Sequence, residues 1–587
     1  MKNFECLRSR IIFTQVKMNL QEKRWKVKEL SNQEATDKLA EELNISQLLA
    51  RLLMLRGVET AAEAKRFFRP EITDLHDPFL MSGMHTAVDR IKKAIAYKEK
   101  ILIYGDYDVD GTTAVALLYS YLKHFTSALD YYIPDRYSEG YGVSFQGIDF
   151  AKANGFGLII ALDCGIKSVD KVDYALERGI DFIICDHHLP GETLPNAIAI
   201  LNPKLPHSNY PYLELSGCGV GFKLVQALNL EFAGDKEWVT NQLDLVAISI
   251  AADIVPITGE NRVLTFFGLQ ELNKRKRRGI EAILELAGLR KQITVSDIVF
   301  MISPRINAAG RITSGKKAVE LLISENPDLA FAQGEEINET NIKRQSLDKN
   351  ITEHALKMLS EDVEGRKRKT TVVYHPEWHK GVVGIVASRL TERYYRPTIV
   401  LTLSNGMVTG SARSVKDFDI YEAISKCSHL LDQFGGHKYA AGLSLKPENL
   451  SLFREEFDRV VSQNITEELL TPEIEIDAEV NLLELDDKFN RILKQFAPFG
   501  PGNLTPILKA GSLRDKGNAR LVGSKHLKMD LLDNYSGKML PAIAFNQGHH
   551  LAAVAGKKLL EVCFAIEENE FQGNISLQMN VKDIRVL

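Results

Sequence analysis

Apolar positions at helical spacing, with few turn signals, run through residues 28–98, as in ELNISQLLARLLMLRG, and predict a helical N-terminal part. At Lys100 the rhythm changes. Short apolar runs, ILIY (101–104), LIIAL (158–162), FIIC (182–185) and AIAIL (197–201), alternate with helical stretches, the spacing of a parallel sheet with crossover helices. Residues 326–362 are charged and carry no proline after Pro327, which predicts one long, exposed connecting helix. Beyond the basic stretch Arg366–Lys369, the strands TVVYH and PTIVL and their glycine-rich turns open a second α/β unit reaching about residue 462. From Pro472 onward, short runs such as IEIDAEV, LPAIAF, EVCFAIEE and ISLQMNV predict a small β-barrel or sandwich. The expected class is α/β, without internal repeats or low-complexity tracts.

At 587 residues the chain is long enough for three or four domains. Hydrophobic residues at 45% and charged residues at 26% exclude a disordered, collagen-like or disulfide-scaffold chain. A formal charge of -4 neither predicts nor excludes a nucleic-acid partner, since attraction would depend on locally collected positive charge. The six cysteines form no CxxC pair, which argues against a zinc ribbon and for reduced thiols in a cytoplasm. No apolar run reaches the roughly 18 residues that cross a bilayer. The longest, Leu245 to Ile257, is interrupted by Asp253. The first twenty residues carry no continuous apolar segment followed by a small-residue cleavage site, so secretion is not expected, and Met18 is an expected alternative translation start, leaving residues 1–17 untranslated. The expected location is the cytoplasm, with no membrane partner.

Chemistry enters where the apolar runs stop. ILIY leads into Asp106-Tyr107-Asp108-Val109-Asp110-Gly111 after one glycine, LIIAL into Asp163, and FIIC into Asp186-His187-His188. The carboxyl ends of parallel strands share one edge of the sheet, so these groups should converge. Packed carboxylates and imidazoles repel one another or shift their pKa values unless cations lie among them, and hard oxygen ligands with histidine suit Mn2+ or Mg2+. In extended chain the alternate aspartates 106, 108 and 110 would share one face. A calcium loop is the rival, but it requires an acid twelve places on, and position 117 is Leu. Amides at the start of the helix after Gly111 could hold a phosphate. Asp253, inside the apolar stretch LVAISIAADIVPI, needs a partner that the same cluster could supply.

Asp-x-Asp-x-Asp-Gly, a strand-end aspartate, Asp-His-His and Ala-Asp-x-Val, in that order, resemble the DHH phosphoesterase superfamily. The rest of the chain is similar to its bacterial single-strand-specific 5′-to-3′ DNA exonucleases. That likeness includes IPDRYSEGYG (133–142), LSGCGVGFKL (215–224), PRINAAGRI (304–312), WHKGVVGIVASRL (378–390), GSARS (410–414), FGGHKYAAG (434–442), PFGPGNLTP (498–506) and GSKHLK (523–528). Asp135 and Leu504 stand where the family often carries Asn and Pro. The resemblance implies a parallel-sheet DHH domain (71–325) behind an N-terminal helical extension (1–70). A connecting helix (326–363) would lead to a smaller α/β DHHA1 domain (364–462), and a C-terminal OB-fold barrel (463–587) would follow.

It also implies two ions, Mn2+ or Mg2+. One would take Asp108 and Asp163 with Asp106 nearby, and the other Asp110, Asp163, His187 and Asp253. His188 would contact the scissile phosphate or assist the leaving group. Arg305, Asn307 and Arg311 would grip substrate, joined by His379 and Lys380, by Arg413, Gly435, Gly436 and His437 in the DHHA1 domain, and by Lys525, His526 and Lys528 in the barrel. The implied reaction is stepwise hydrolysis of single-stranded DNA from its 5′ end to 5′-mononucleotides, in repair and recombination. A cleft between two domains would admit one strand and exclude a duplex. Implied delivery partners are a RecQ-type helicase and a single-strand-binding protein. The alternatives are a phosphodiesterase for short oligonucleotides or cyclic dinucleotides and a non-catalytic strand-binding scaffold.

Overall fold

Five parallel strands, β1 (Lys100–Gly105), β2 (Leu129–Tyr132), β3 (Phe156–Leu162), β4 (Asp181–Cys185) and β5 (Ala199–Leu201), pair in the order β2-β1-β3-β4-β5. The structure is a computed structural model that describes residues 22–30, 32–571 and 574–587. The expectation for residues 1–17 lies outside the described residues. The central runs are apolar throughout because both faces of the sheet are covered. Ile101, Ile103, Leu158, Ile160 and Ile183 face a core with the helices Met84–Ala96 and Val109–Leu122, whereas Leu102, Tyr104, Ile159, Phe182 and Ile184 face the helices Phe145–Ala153 and Val169–Glu177. The apolar runs do not reveal β2, because this edge strand is only half-buried and carries the exposed Asp130. The last strand is also shorter than the run AIAIL, beginning at Ala199.

Register aligns the functional edge. Gly105 pairs with Leu162, Leu162 with Cys185, and Cys185 with Leu201, so the next residues, Asp106, Asp163, Asp186 and Asn202, leave the sheet side by side. The ladder continues one step further, with the Asp163 amide donating to the Cys185 carbonyl (2.9 Å) and the Asp186 amide to that of Leu201 (3.0 Å).

The chain divides into two compact units. The larger contains this sheet, most of the connecting helix Pro327–Glu361, residues 377–386 and the C-terminal part. In that C-terminal part the strands Leu508–Asp515, Leu560–Phe571, Asn574–Val586, Met539–Ala544 and His526–Asp533 pair in sequence, and the last returns to the first, closing a five-stranded barrel. The N-terminal helices belong to this barrel's core. Leu48, Leu49, Leu52 and Leu53 pack in one cluster with Leu482, Phe489, Phe496, Leu508 and Val562. Buried Arg262, on the helix Gly259–Asn273, ties the same region to the part that contains the parallel sheet by donating to the carbonyls of Phe67, Gln495, Phe496 and Ala497.

The smaller unit includes residues 359–376 and 387–475. Its sheet runs in the order Gln433–His437, Ala440–Leu445, Met407–Arg413, Thr398–Ser404, Thr371–Tyr374, and only the last pair is parallel. The second unit is therefore α/β with a largely antiparallel sheet. Asn405-Gly406 explains part of this, because both residues adopt positive φ (52° and 78°), as a two-residue hairpin turn requires. Among the described residues, no helix is long and apolar enough to cross a membrane. The described cysteines, Cys164, Cys185, Cys218, Cys427 and Cys563, are all buried.

Candidate metal centre

The three aspartates after β1 do not lie along one extended strand. Asp106 directly follows the strand, Asp108 is the N-cap of the helix Val109–Leu122, and Asp110 stands in that helix's first turn. The Asp108 carboxylate accepts from the Gly111 amide at 3.1 Å, and the whole first turn is buried. The amides expected to seat a phosphate are therefore already engaged or enclosed. Asp110 is fixed by three donors, the Gly217 amide (2.7 Å), the Cys218 amide (2.7 Å) and the Ser249 hydroxyl (2.6 Å). These come from the starting turn of the helix Gly217–Glu231, which attracts a carboxylate, and from the helix Leu243–Ala252. A Cβ on Gly217 would lie 2.5 Å from Asp163, so only glycine allows this helix end so close. Asp163 itself turns off β3 with φ of 59°, a left-handed conformation that aspartate tolerates better than most residues.

His187 sits among these acids. Its Nε2 lies 3.2 Å from Asp163, 3.6 Å from Asp253 and 3.7 Å from Asp110. In two triads, Asp110/His187/Asp253 and Asp163/His187/His188, all ligand atoms fall within 4.8 Å of one another. His187 joins both. Asp108 and Asp106 belong to neither triad, yet Asp108 contributes charge to the fields at Asp106, Asp163 and Asp253.

Burial pushes the carboxyls of Asp106 and Asp163 well above the usual range, and neighbouring aspartates push them further. Burial and then Asp110 and Asp108 lift Asp253 to about 8, while burial lowers His187. Both Asp106 carboxylate oxygens, Asp163 Oδ1 and both ring nitrogens of His187 are buried without a hydrogen-bond partner among the described residues. Folded chains rarely leave such groups unmatched, and here carboxylate oxygens and imidazole nitrogens are left so on residues that follow three neighbouring strands. The donor set, carboxylate oxygens with an imidazole, fits hard divalent cations.

Asp186 has a different task, one the sequence reading left unassigned. It accepts from the amides of Ile166 (3.0 Å), His187 (2.8 Å) and His188 (3.1 Å), and its Oδ1 lies 2.7 Å from His188 Nδ1. Although burial opposes charge on both, this bond holds Asp186 down to about 2 and His188 up to about 9. His188 is consequently protonated near neutral pH, with Nε2 turned toward the hydroxyl of Tyr141 at 3.2 Å. Asp186→Asn keeps the shape but removes the charge and places an amide against one of these donors. A loss of roughly 10- to 100-fold in kcat is expected, measured beside Mn2+ affinity.

A cationic group borders the acids. Arg136 lies over the Tyr107 ring at 5.0 Å, and its charge lowers the pKa of both Asp106 and Lys380. PRINAAGRI is helical (Ser303–Ile312), and Gly310 abuts the backbone of Tyr107, where a Cβ would lie 2.3 Å from the carbonyl oxygen. Asn307 and Arg311, four residues apart, share a face of this helix. Arg311 reaches the Gly381 carbonyl at 3.5 Å, in the segment that carries His379 and Lys380. Arg305 points elsewhere, donating to Asn338 (3.0 Å) on the connecting helix and to the Met301 carbonyl (2.7 Å). Arg136 lies within IPDRYSEGYG, where nothing in its spacing marks it out.

In the smaller unit, register places His437, Ala440 and Arg413 in one row across three strands. Gly436 has φ of 151°, and a Cβ there would meet the Ala440 carbonyl at 2.3 Å. On the barrel, Lys528 pairs with Arg520 across neighbouring strands, while Lys525 is exposed in the preceding turn and His526 meets the ring of Phe545 edge-on at 5.3 Å.

Three family models match the chain: the DHH family N-terminal domain over residues 100–250, the DHHA1 domain over 367–463 and the RecJ OB domain over 476–583. The single-stranded-DNA-specific exonuclease RecJ of Bacillus subtilis is 37% identical over 570 residues, covering 96% of this chain and 71% of that protein. Its Escherichia coli counterpart is 36% identical over 559 residues, covering 92% and 95%. The crystal structure of RecJ from Thermus thermophilus in complex with Mn2+ matches with a TM-score of 0.82 at 26% identity, covering 96% of this chain and 79% of that one.

Proposed function

This chain belongs to the RecJ family of single-stranded-DNA-specific exonucleases, and from that premise we propose that it hydrolyses single-stranded DNA from the 5′ end, releasing 5′-mononucleotides. The observation that carries the reading is the group of unsatisfied buried atoms on Asp106, Asp163 and His187 at the edge of the sheet. Asp163, Asp110, His187 and Asp253 would hold one divalent ion, and Asp108 with Asp163 and neighbouring Asp106 would hold the second. Mn2+ or Mg2+, when bound, supplies Lewis acidity and neutralises charge on the attacking and leaving oxygens.

The chain's own side chains do the rest. Asp110 is oriented before any ligand arrives, because three donors already fix its carboxylate. His188, oriented by Asp186 through Nδ1, presents Nε2 to the scissile phosphate or to the departing oxygen. Arg136, Arg311, His379 and Lys380 bind phosphate beside the acids, with Asn307 on the same helix face as Arg311. Arg305 acts indirectly, by anchoring the helix that bears Asn307 and Arg311. Arg413, Gly436 and His437, and on the barrel Lys525 and Lys528, hold further nucleotides by charge and close backbone approach. The enzyme works in the cytoplasm in repair and recombination, with a helicase and a single-strand-binding protein delivering substrate.

Oligonucleotides labelled at the 5′ or 3′ end and digested with Mn2+ or Mg2+ test this. Immediate release of a labelled mononucleotide from 5′-labelled single strands, with duplex resistant, is expected. Release from the 3′ end first, or undiminished preference for dinucleotides, would contradict it.

A further inference from the structure

Two exposed aliphatic side chains stand directly beside the cluster. Leu189, 68% exposed, follows His188, and Ile254, 67% exposed, follows Asp253. Ile254 also has φ of 61°. A β-branched residue in the left-handed region is strained, and persists only where the surroundings dictate the backbone. Here they do. The Asp253 amide donates to the Ser249 carbonyl at 2.9 Å, and three residues after Ile254 the Ile257 amide donates to the Pro501 carbonyl at 2.7 Å. Burial of the side chain does not offset the strain, since its neighbours Val255 and Ile257 enter the core and Ile254 faces water.

Two further exposed leucines stand on loops joined to these, Leu213 (48%) and Leu504 (66%). The loops that carry all four are fastened to one another. Asn202 Nδ2 donates to the His188 carbonyl at 2.9 Å, and Lys204, two residues on, pairs with Glu214 at 3.2 Å. The Tyr212 hydroxyl donates to the Pro256 carbonyl at 3.1 Å, and the Ile257–Pro501 bond reaches the loop of Leu504. The loops that carry these four exposed side chains are thus linked in series, from the residues beside the acids to the segment that leads into the barrel.

We propose that Leu189 and Ile254, continued by Leu213 and Leu504, form a ridge that carries the nucleobases next to the scissile phosphodiester. This rests on the exonuclease reading and adds to it the residues that bind bases. Bases beside a phosphodiester held at the acids come within reach of residues one position from the ligands. Their faces are apolar and common to every base, and aliphatic side chains offer no hydrogen bond that would favour one of them. The ridge binds single strands regardless of sequence, whereas a paired base has its faces covered by stacking and its edge by its complement.

The test uses the full chain with Mn2+ and two single strands, one normal and one whose first three nucleotides are abasic. Wild type is expected to show a KM roughly tenfold higher on the abasic strand. Ile254→Gly, which removes the side chain and relieves the backbone, and Leu189→Ala should each raise KM on the normal strand roughly fivefold, with a smaller fall in kcat. On the abasic strand each should match wild type within about twofold, with the melting temperature unchanged for Leu189→Ala and not lowered for Ile254→Gly. Variants equal to wild type on the normal strand, or equally impaired on both strands, would overturn the ridge. A wild-type chain that cleaves no single-stranded DNA would instead refute the exonuclease reading, and the ridge with it.

Discussion

Asp163→Ala is expected to reduce cleavage of single-stranded DNA by roughly a thousandfold or more, and at the same time to raise the melting temperature of the metal-free protein. Both effects have one cause. Asp163 is buried, its carboxyl is pushed far above the usual range, and one of its oxygens has no partner among the described residues. Without metal the side chain is a liability, since an unmatched buried carboxyl costs several kcal/mol by order of magnitude. It also lies 3.2 Å from His187, the residue common to both triads, and in the proposed arrangement it would serve both ions, so its loss should disturb both. Single-turnover kinetics and calorimetry in chelator would check the pair of outcomes. A variant that cleaves like wild type would contradict the assignment, and one that is inactive but less stable without metal would contradict the electrostatic account.

Chelation should abolish activity, and returned Mn2+ should both restore it and stabilise the fold, by about 2.7 kcal/mol per site at a hundredfold excess over Kd. The benefit should grow with pH. Asp106, Asp108, Asp163 and Asp253 have folded pKa values above their unfolded ones, so their contribution to metal-free stability is complete below about pH 4. It is lost as pH rises, through about 8 for Asp253. His188, raised to about 9, acts in the same direction. Asp186, depressed to about 2, loses its contribution only in more acidic solution. Melting temperature in chelator should therefore fall from pH 5 to pH 8, and saturating Mn2+ should remove most of that slope. Because the carboxyls shed protons as they bind, titration in buffers of different ionisation enthalpy should detect proton release. A flat profile in chelator would mean that the acids are not mutually destabilising.

Much of the site is legible in the sequence because apolar runs and acids are adjacent there. ILIY, LIIAL and FIIC could be buried only as inner strands, and the residues that follow, Asp106, Asp163 and Asp186, had to emerge along one edge. Asp253 is legible for the opposite reason, as an acid where the surrounding pattern demands an apolar residue. What escapes are roles that depend on direction. The spacing of Asp106, Asp108 and Asp110 suggests an extended face, but a helix begins at Val109 and turns Asp110 toward Gly217 and Ser249. PRINAAGRI lists two arginines without showing that six helical positions separate their directions, so that Arg305 meets Asn338 and only Arg311 approaches Gly381. Long-range packing is equally silent. Periodicity reveals that Leu48, Leu49, Leu52 and Leu53 form a helical stripe, but not that the stripe completes a barrel built more than 400 residues later.

The central claim is that these acids tolerate one another because two divalent ions lie among them. Anomalous diffraction at the manganese edge from crystals soaked in Mn2+ tests it most directly. Two peaks are predicted, both within coordination distance of Asp163, one also contacting His187, Asp110 and Asp253 and the other Asp108. A single peak, or none at Asp163, would contradict the account.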